Sequence, residues 1–116
     1  MSAQSVLYCF TNYPSPTSGE YLDIALTSTV FDQKTTIVFI DEGAHHLLAG
    51  LESERPTDFQ KSLEGLRLMD EIPIYVSEAS INKNEKIFFR LPEFVEIKPD
   101  SFISYLLSST DLSFCF

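Results

Sequence analysis

Thr35-Thr36-Ile37-Val38-Phe39-Ile40-Asp41-Glu42-Gly43 is a β-branched, apolar run that stops abruptly at two acids and a glycine. The run is apolar at consecutive positions and does not alternate, so it reads as a strand covered on both sides, as in a parallel sheet. Asp41-Glu42-Gly43 then turns the chain into a short helix over Ala44 to Ala49, which Gly50 closes. Working backward, Ser5 to Phe10 has the same two-sided apolar character, and Asn12-Tyr13-Pro14-Ser15-Pro16 breaks it. Between these strands Thr17-x-x-Glu20 reads as a capping box that opens a helix, with Tyr21, Ile24, Ala25, Ser28 and Phe31 on one face and Leu22 and Leu26 widening it.

Working forward, Leu51 to Arg55 is a polar loop, and Pro56-Thr57-Asp58 starts a helix that runs to about Asp70. Its stripe is Phe59, Leu63, Leu66 and Met69, and Gly65 in its middle predicts close packing. Ile72 to Val76 is a third strand, Ser77 to Asn84 a short helical or irregular stretch, and Phe94 to Ile97 a weaker strand. Pro99-Asp100-Ser101 opens a last helix with Phe102, Ile103, Leu106 and Leu107 as its buried face, and Leu112 to Phe116 is an apolar strand. The order β-α-β-α-α-β-(α)-β-α-β predicts an α/β sandwich with a mostly parallel central sheet of about five strands and helices on both faces. At 116 residues the chain reads as one domain spanning 1–116. In such folds chemistry sits beyond the carboxyl ends of the strands. Here those segments are Thr11 to Ser18, Asp41 to His46 and Ser77 to Asn82.

Seventeen acidic residues against eight basic ones give a net charge of −9. Phosphate-reading surfaces need clustered Lys and Arg, so direct nucleic-acid binding and docking on anionic membranes are not expected. The longest apolar runs, such as Val6 to Phe10, fall far short of the roughly 20 residues a membrane span requires. No basic stretch precedes an apolar one at Met1 to Ser5, which predicts no secretory signal. Two cysteines, Cys9 and Cys115, make no disulfide framework, so a reducing, cytoplasmic setting is expected.

Few side chains suggest chemistry. No Gly-x-Gly-x-x-Gly or Walker-type loop follows the first strand, so a nucleotide phosphate has no cradle, and no cofactor is expected. His45 and His46 are adjacent; on a helix they point about 100° apart and cannot chelate one ion together. They read as surface or interface residues, with one histidine facing a partner's reactive group as the sharper alternative. Cys9 and Cys115 each lie between aromatic residues in apolar strands and read as small core hydrophobes with raised thiol pKa values. Asp41 and Glu42 read as helix-capping acids. Tyr13, Leu47, Leu48 and Phe59 are apolar residues on loops or short helices, open to two readings, interface or core.

Three segments together resemble a known family: Gly19 to Leu26 after the Pro-rich loop, Val38 to Gly50, and Ile74-Tyr75-Val76-Ser77-Glu78-Ala79-Ser80. With the length and the last apolar strand, they resemble the DsrE/DsrF-like sulfur-relay family, and within it the TusC, or DsrF-like, branch. The resemblance implies a small α/β sandwich and a hetero-oligomer with TusB-like and TusD-like (DsrH-like and DsrE-like) subunits. Such a complex hands persulfide sulfur to a TusE-like carrier, toward 2-thiolation of the tRNA wobble uridine; in the related DsrE, DsrF and DsrH complex the pathway is dissimilatory sulfur oxidation. The persulfide cysteine of the family belongs to the TusD-like or DsrE-like subunit, after its third main strand, and the matching position here is Ser77. A hydroxyl ionises too weakly to attack a persulfide and forms no comparable S–S bond. The expected role is therefore a non-catalytic structural subunit, with no catalytic residue and no metal. Tyr13, Asp41, Glu42, His45, His46, Leu47, Leu48 and Phe59 are its interface candidates. The alternatives are a sulfurtransferase using Cys9 or Cys115, and a ligand- or protein-binding module outside sulfur metabolism.

Overall fold

Strands buried on both faces need helices on both sides, and right-handed crossovers decide which helix goes where. The computed structural model, which describes residues 4–30, 33–47, 58–70, 72–83 and 91–116, shows this arrangement. The chain runs β1 (Ser5–Phe10), α1 (Ser18–Val30), β2 (Lys34–Phe39), a 3-10 helix (Asp41–Leu47), α2 (Asp58–Asp70), β3 (Ile74–Ser77), α3 (Glu78–Asn82), β4 (Glu96–Lys98), α4 (Asp100–Ser109) and β5 (Leu112–Cys115). The sheet has five strands in the order β4-β3-β2-β1-β5, and every pairing is parallel. From β1 the chain steps outward to β4, then returns over the opposite face through α4 to place β5 beside β1. The strand order therefore reverses between β1 and β5.

Alternation along each strand sorts the side chains. Val6, Tyr8 and Phe10 with Ile37, Phe39, Ile74 and Val76 face α1, α2 and the 3-10 helix, where they meet Leu22, Ala25, Leu47, Leu63 and Leu66 in the main core. Leu7, Cys9 and Val38 face the other way and pack with Ile103 of α4, flanked by Ile40, Tyr75 and Leu106. The aromatic content concentrates on the first side. Phe10 lies 5.3 Å from Phe39 and 5.6 Å from Phe59 between ring centroids, and Phe116 stacks on Tyr21 at 4.3 Å.

Several local expectations change. Helix α1 starts at Ser18 without the capping box: Thr17 Oγ1 pairs with Ser15 Oγ, and the Thr17 carbonyl accepts the Glu20 and Tyr21 amides. Its buried line is Ser18, Leu22 and Ala25, at i, i+4 and i+7, so Ile24 and Leu26 face outward. Leu107 likewise turns outward from α4, where Ile103 is the buried anchor. A Cβ at Gly65 would meet nothing within 4 Å, so that glycine marks no close packing. Strand β5 is an exposed edge strand throughout, because only β1 borders it. Phe31, Leu48, Gly50 and the loop after it lie outside the described residues.

Candidate functional site

The carboxyl edge of the sheet carries a network of buried and half-buried polar groups. At the end of β2 the chain must turn beneath the end of β1. The Ile40 amide donates to the Phe10 carbonyl at 3.1 Å, and a Cβ on Gly43 would fall 1.7 Å from that same oxygen. Only glycine fits there. Asp41 just before it adopts φ 51°, a left-handed conformation that Asp tolerates better than bulkier residues. Its amide donates to Ser80 Oγ at 2.7 Å, and its exposed carboxylate lies 3.8 Å from Lys83 Nζ.

This turn aims the 3-10 helix so that the two histidines diverge. His46 points into the core, 3% exposed, against Phe10, Phe39 and Phe59. Its Nδ1 lies 2.9 Å from the Gly43 carbonyl, and its Nε2 lies 3.0 Å from Ser18 Oγ. A carbonyl can only accept, so Nδ1 carries the proton and Nε2 accepts from the Ser18 hydroxyl. The Ser15 amide donates to Ser18 Oγ at 2.9 Å and completes the chain. Burial pushes the His46 imidazole below its ordinary value of 6.5; the Gly43 carbonyl pulls the other way, and His45 adds a smaller push downward. His46 is therefore a neutral, fully bonded core residue. A small cavity of about 120 Å³ borders it, lined by Phe10, Tyr13, Ser15, Ser18, Tyr21 and Phe116 among others. That is well below the roughly 300 Å³ at which small-molecule pockets begin.

The end of β3 is built from side chains instead. Ser77, 3% exposed, is the N-cap of α3: its hydroxyl accepts the Ser80 amide at 3.2 Å and donates to Asp100 Oδ1 at 2.5 Å. Asp100 opens α4, so one hydroxyl ties two helix starts together. Ser77 is buried with its one hydroxyl proton already committed to Asp100.

The third feature lies where the strand order reverses. Cys9 of β1 and Cys115 of β5 are register partners, both free thiols. Cys9 is fully buried and Cys115 is exposed. Burial pushes the Cys9 thiol up to about 12, and the charge of Cys115, a hydrogen bond to Cys115 and the charge of Asp41 push in the same direction.

The residues singled out in the sequence thus separate. His46 and Leu47 are buried because the turn at Gly43 rolls this face of the 3-10 helix inward, and Phe59 of α2 is half-buried against the core. His46 and Leu47 belong to the core and are withdrawn as surface candidates, whereas Phe59 packs against it and keeps part of its surface accessible. Tyr13 is 60% exposed and packs at a tilt on the half-buried His45, 4.8 Å between centroids; Asp41 and Glu42 are exposed beside them. Leu48 lies outside the described residues. Sequence reasoning missed Ser18, Ser80 and Asp100, ordinary polar residues whose roles depend on distant partners. The pairing of Cys9 with Cys115 had one signal, since each sits between two aromatic residues. Among the described residues no group of three or more His, Cys, Asp or Glu is placed to hold a metal, and no helix is long and apolar enough to cross a membrane.

The fold and this edge define a small, all-parallel α/β protein whose strand ends are finished by hydroxyls, one buried imidazole and two thiols. Residues 4–90 match the DsrE/DsrF-like family, and the chain belongs to that family. It is 31% identical over 113 residues to the Protein TusC homolog of Pseudomonas aeruginosa, covering 94% of this chain and 95% of that protein. Within the family it therefore falls in the TusC, DsrF-like branch. The fold is also that of the ychN protein from E. coli, with a TM-score of 0.77 at 17% identity over 99% of this chain and 100% of that one.

Proposed function

We propose that this chain is a non-catalytic structural subunit of a TusBCD-type sulfur-relay complex in the cytoplasm, acting as one domain over 1–116. The complex supports persulfide transfer toward 2-thiolation of the tRNA wobble uridine. The observation that carries the reading is the end of β3. In this family's relay the thiol belongs there, and here Ser77 caps α3 and bonds Asp100 instead. Sulfur transfer is then the work of a TusD-like companion, with a TusB-like chain completing the complex and a TusE-like carrier receiving the sulfur. The likeness to a TusC homolog favours tRNA thiolation over the dissimilatory pathway. We assign the companion-facing surface to Tyr13, Asp41, Glu42 and His45, which stay accessible around the same sheet edge.

The test is sulfur transfer through the reconstituted complex with this chain made thiol-free by Cys9→Ala and Cys115→Ser. Transfer at the rate of the parent complex supports a structural role. Loss of transfer in a complex that still assembles overturns it.

A further inference from the structure

Cys9 and Cys115 are the one pair of reactive-type side chains that the proposed role leaves unused. They are direct neighbours in the register of two parallel strands. Neighbouring strands run about 4.8 Å apart, inside the 4.4–6.8 Å Cα window of a disulfide. In-register residues on adjacent parallel strands point to the same face, so the two thiols share one side of the sheet. Tyr8 and Phe114, one position back on each strand, stack at 5.7 Å on the opposite face, which fixes the register physically. The pair lies near the carboxyl ends of the two strands between which the strand order reverses, next to the crevice in which open α/β sheets place their chemistry.

We propose that Cys115 and Cys9 form a thiol–disulfide exchange site: Cys115 attacks a low-molecular-weight disulfide, and Cys9 resolves the adduct to an intramolecular Cys9–Cys115 bond. In the first step the Cys115 thiolate attacks one sulfur of oxidised glutathione. A protein–glutathione disulfide forms, the glutathione S–S bond breaks, and one glutathione thiolate leaves. In the second step Cys9, having given its proton to solvent, attacks the Cys115 sulfur and expels the second glutathione thiolate. Both protein thiols are oxidised, one disulfide is reduced to two thiols, and no other oxidant enters.

The environment sets this order. Cys115 is open to solvent, whereas Cys9 is sealed and keeps its proton. Once Cys115 is capped, its sulfur is the disulfide electrophile in register beside Cys9. Resolution therefore follows the first step, since only the capped Cys115 offers Cys9 a disulfide to attack. The product ties the exposed edge strand covalently to the central strand. A bridge between two directly paired strands is constrained by the ladder, which makes it the readily reduced kind of disulfide.

The test is intact-mass analysis of the folded full chain incubated with oxidised glutathione, with maleimide counting of the remaining thiols. The expected product is monomeric, two hydrogens lighter than the starting protein, free of glutathione and without labelled thiols; dithiothreitol restores both. Cys9→Ala stops at one glutathione adduct on Cys115, and Cys115→Ser takes up none. Cys9→Ser serves as a second resolving-site variant, and circular dichroism confirms that each variant is folded. A parent protein that does not react, that stops at the mixed disulfide, or that forms only disulfide-linked dimers overturns the proposal. So does glutathionylation of the Cys115→Ser protein at the parent rate.

Discussion

The chain leaves the sheet in two neighbouring places by different means. After β2 the backbone does the work: Asp41 takes a left-handed conformation and Gly43 presses against the Phe10 carbonyl, aiming His46 into the core. After β3 a side chain does it: Ser77 caps α3 and holds Asp100. The two turns are joined by the hydrogen bond from the Asp41 amide to Ser80. A turn set by backbone contact tolerates no change of residue, because a Cβ has nowhere to go. A turn set by a hydroxyl loses only the bonds of that hydroxyl. The end of β3 is therefore the more forgiving of the two.

Gly43→Ala breaks the comparison most severely. The new methyl would overlap the Phe10 oxygen, and neither strand end has room to retreat, so a loss of about 4 kcal/mol or more is expected, enough to abolish cooperative unfolding. Thermal melts of the soluble fraction read this directly. If the variant melts like the parent, the close approach at Gly43 is not what sets the turn.

His46→Ala comes next, at about 3 kcal/mol, through lost packing on three aromatic rings and a Ser18 hydroxyl left without its acceptor. The same residue gives a pH signature. Its folded pKa lies below 6.5, so the unfolded chain binds the proton first. The contribution is complete above pH 6.5 and is lost as pH falls from there through the lower folded value. Urea midpoints measured from about pH 7.5 down to about pH 5 should fall for the parent and fall less steeply for His46→Phe. Equal slopes would mean that His46 is not buried as the neutral form.

Ser77→Ala should cost about 1 kcal/mol, the worth of an N-cap, and leave the fold intact. A larger loss would make the end of β3 as rigid as the end of β2 and erase the distinction between them. Asp111→Ala is the smallest effect. Its carboxylate accepts the Ser5 amide at 2.8 Å and the Ser5 hydroxyl at 3.0 Å, joining the starts of β1 and β5 far from either turn. Those bonds hold its pKa below 3.8, so their contribution is present above pH 3.8 and lost as pH falls through the folded value. Faster amide exchange confined to β5, with an unchanged global midpoint, is the expected result.

The sheet was legible because two-sided apolar strands and amphipathic helices carry their burial in their own periodicity; Ser5–Phe10 and the β2 run are the plainest cases. The capping box and the face of α1 were misread for one reason. Ser18 is a small polar residue whose burial is set by His46, 28 positions away, and no local pattern signals that. Leu47 was ambiguous because an apolar residue on a short helix looks the same in sequence whether the preceding turn rolls it inward or out. Gly43 stood out as a glycine after two acids, but the reason only glycine fits lies on β1. The two thiols lie 106 positions apart in the chain and meet only because the last crossover returns to the first strand.

The central claim, a structural member of a hetero-oligomer, is tested most directly by the native mass of the particle that carries this chain, purified under reducing conditions through a tag on the chain itself. The account predicts one assembly with two different small companions in equal ratio, one of them bearing the persulfide cysteine. A particle containing only this chain, as a monomer or as copies of itself, would contradict it.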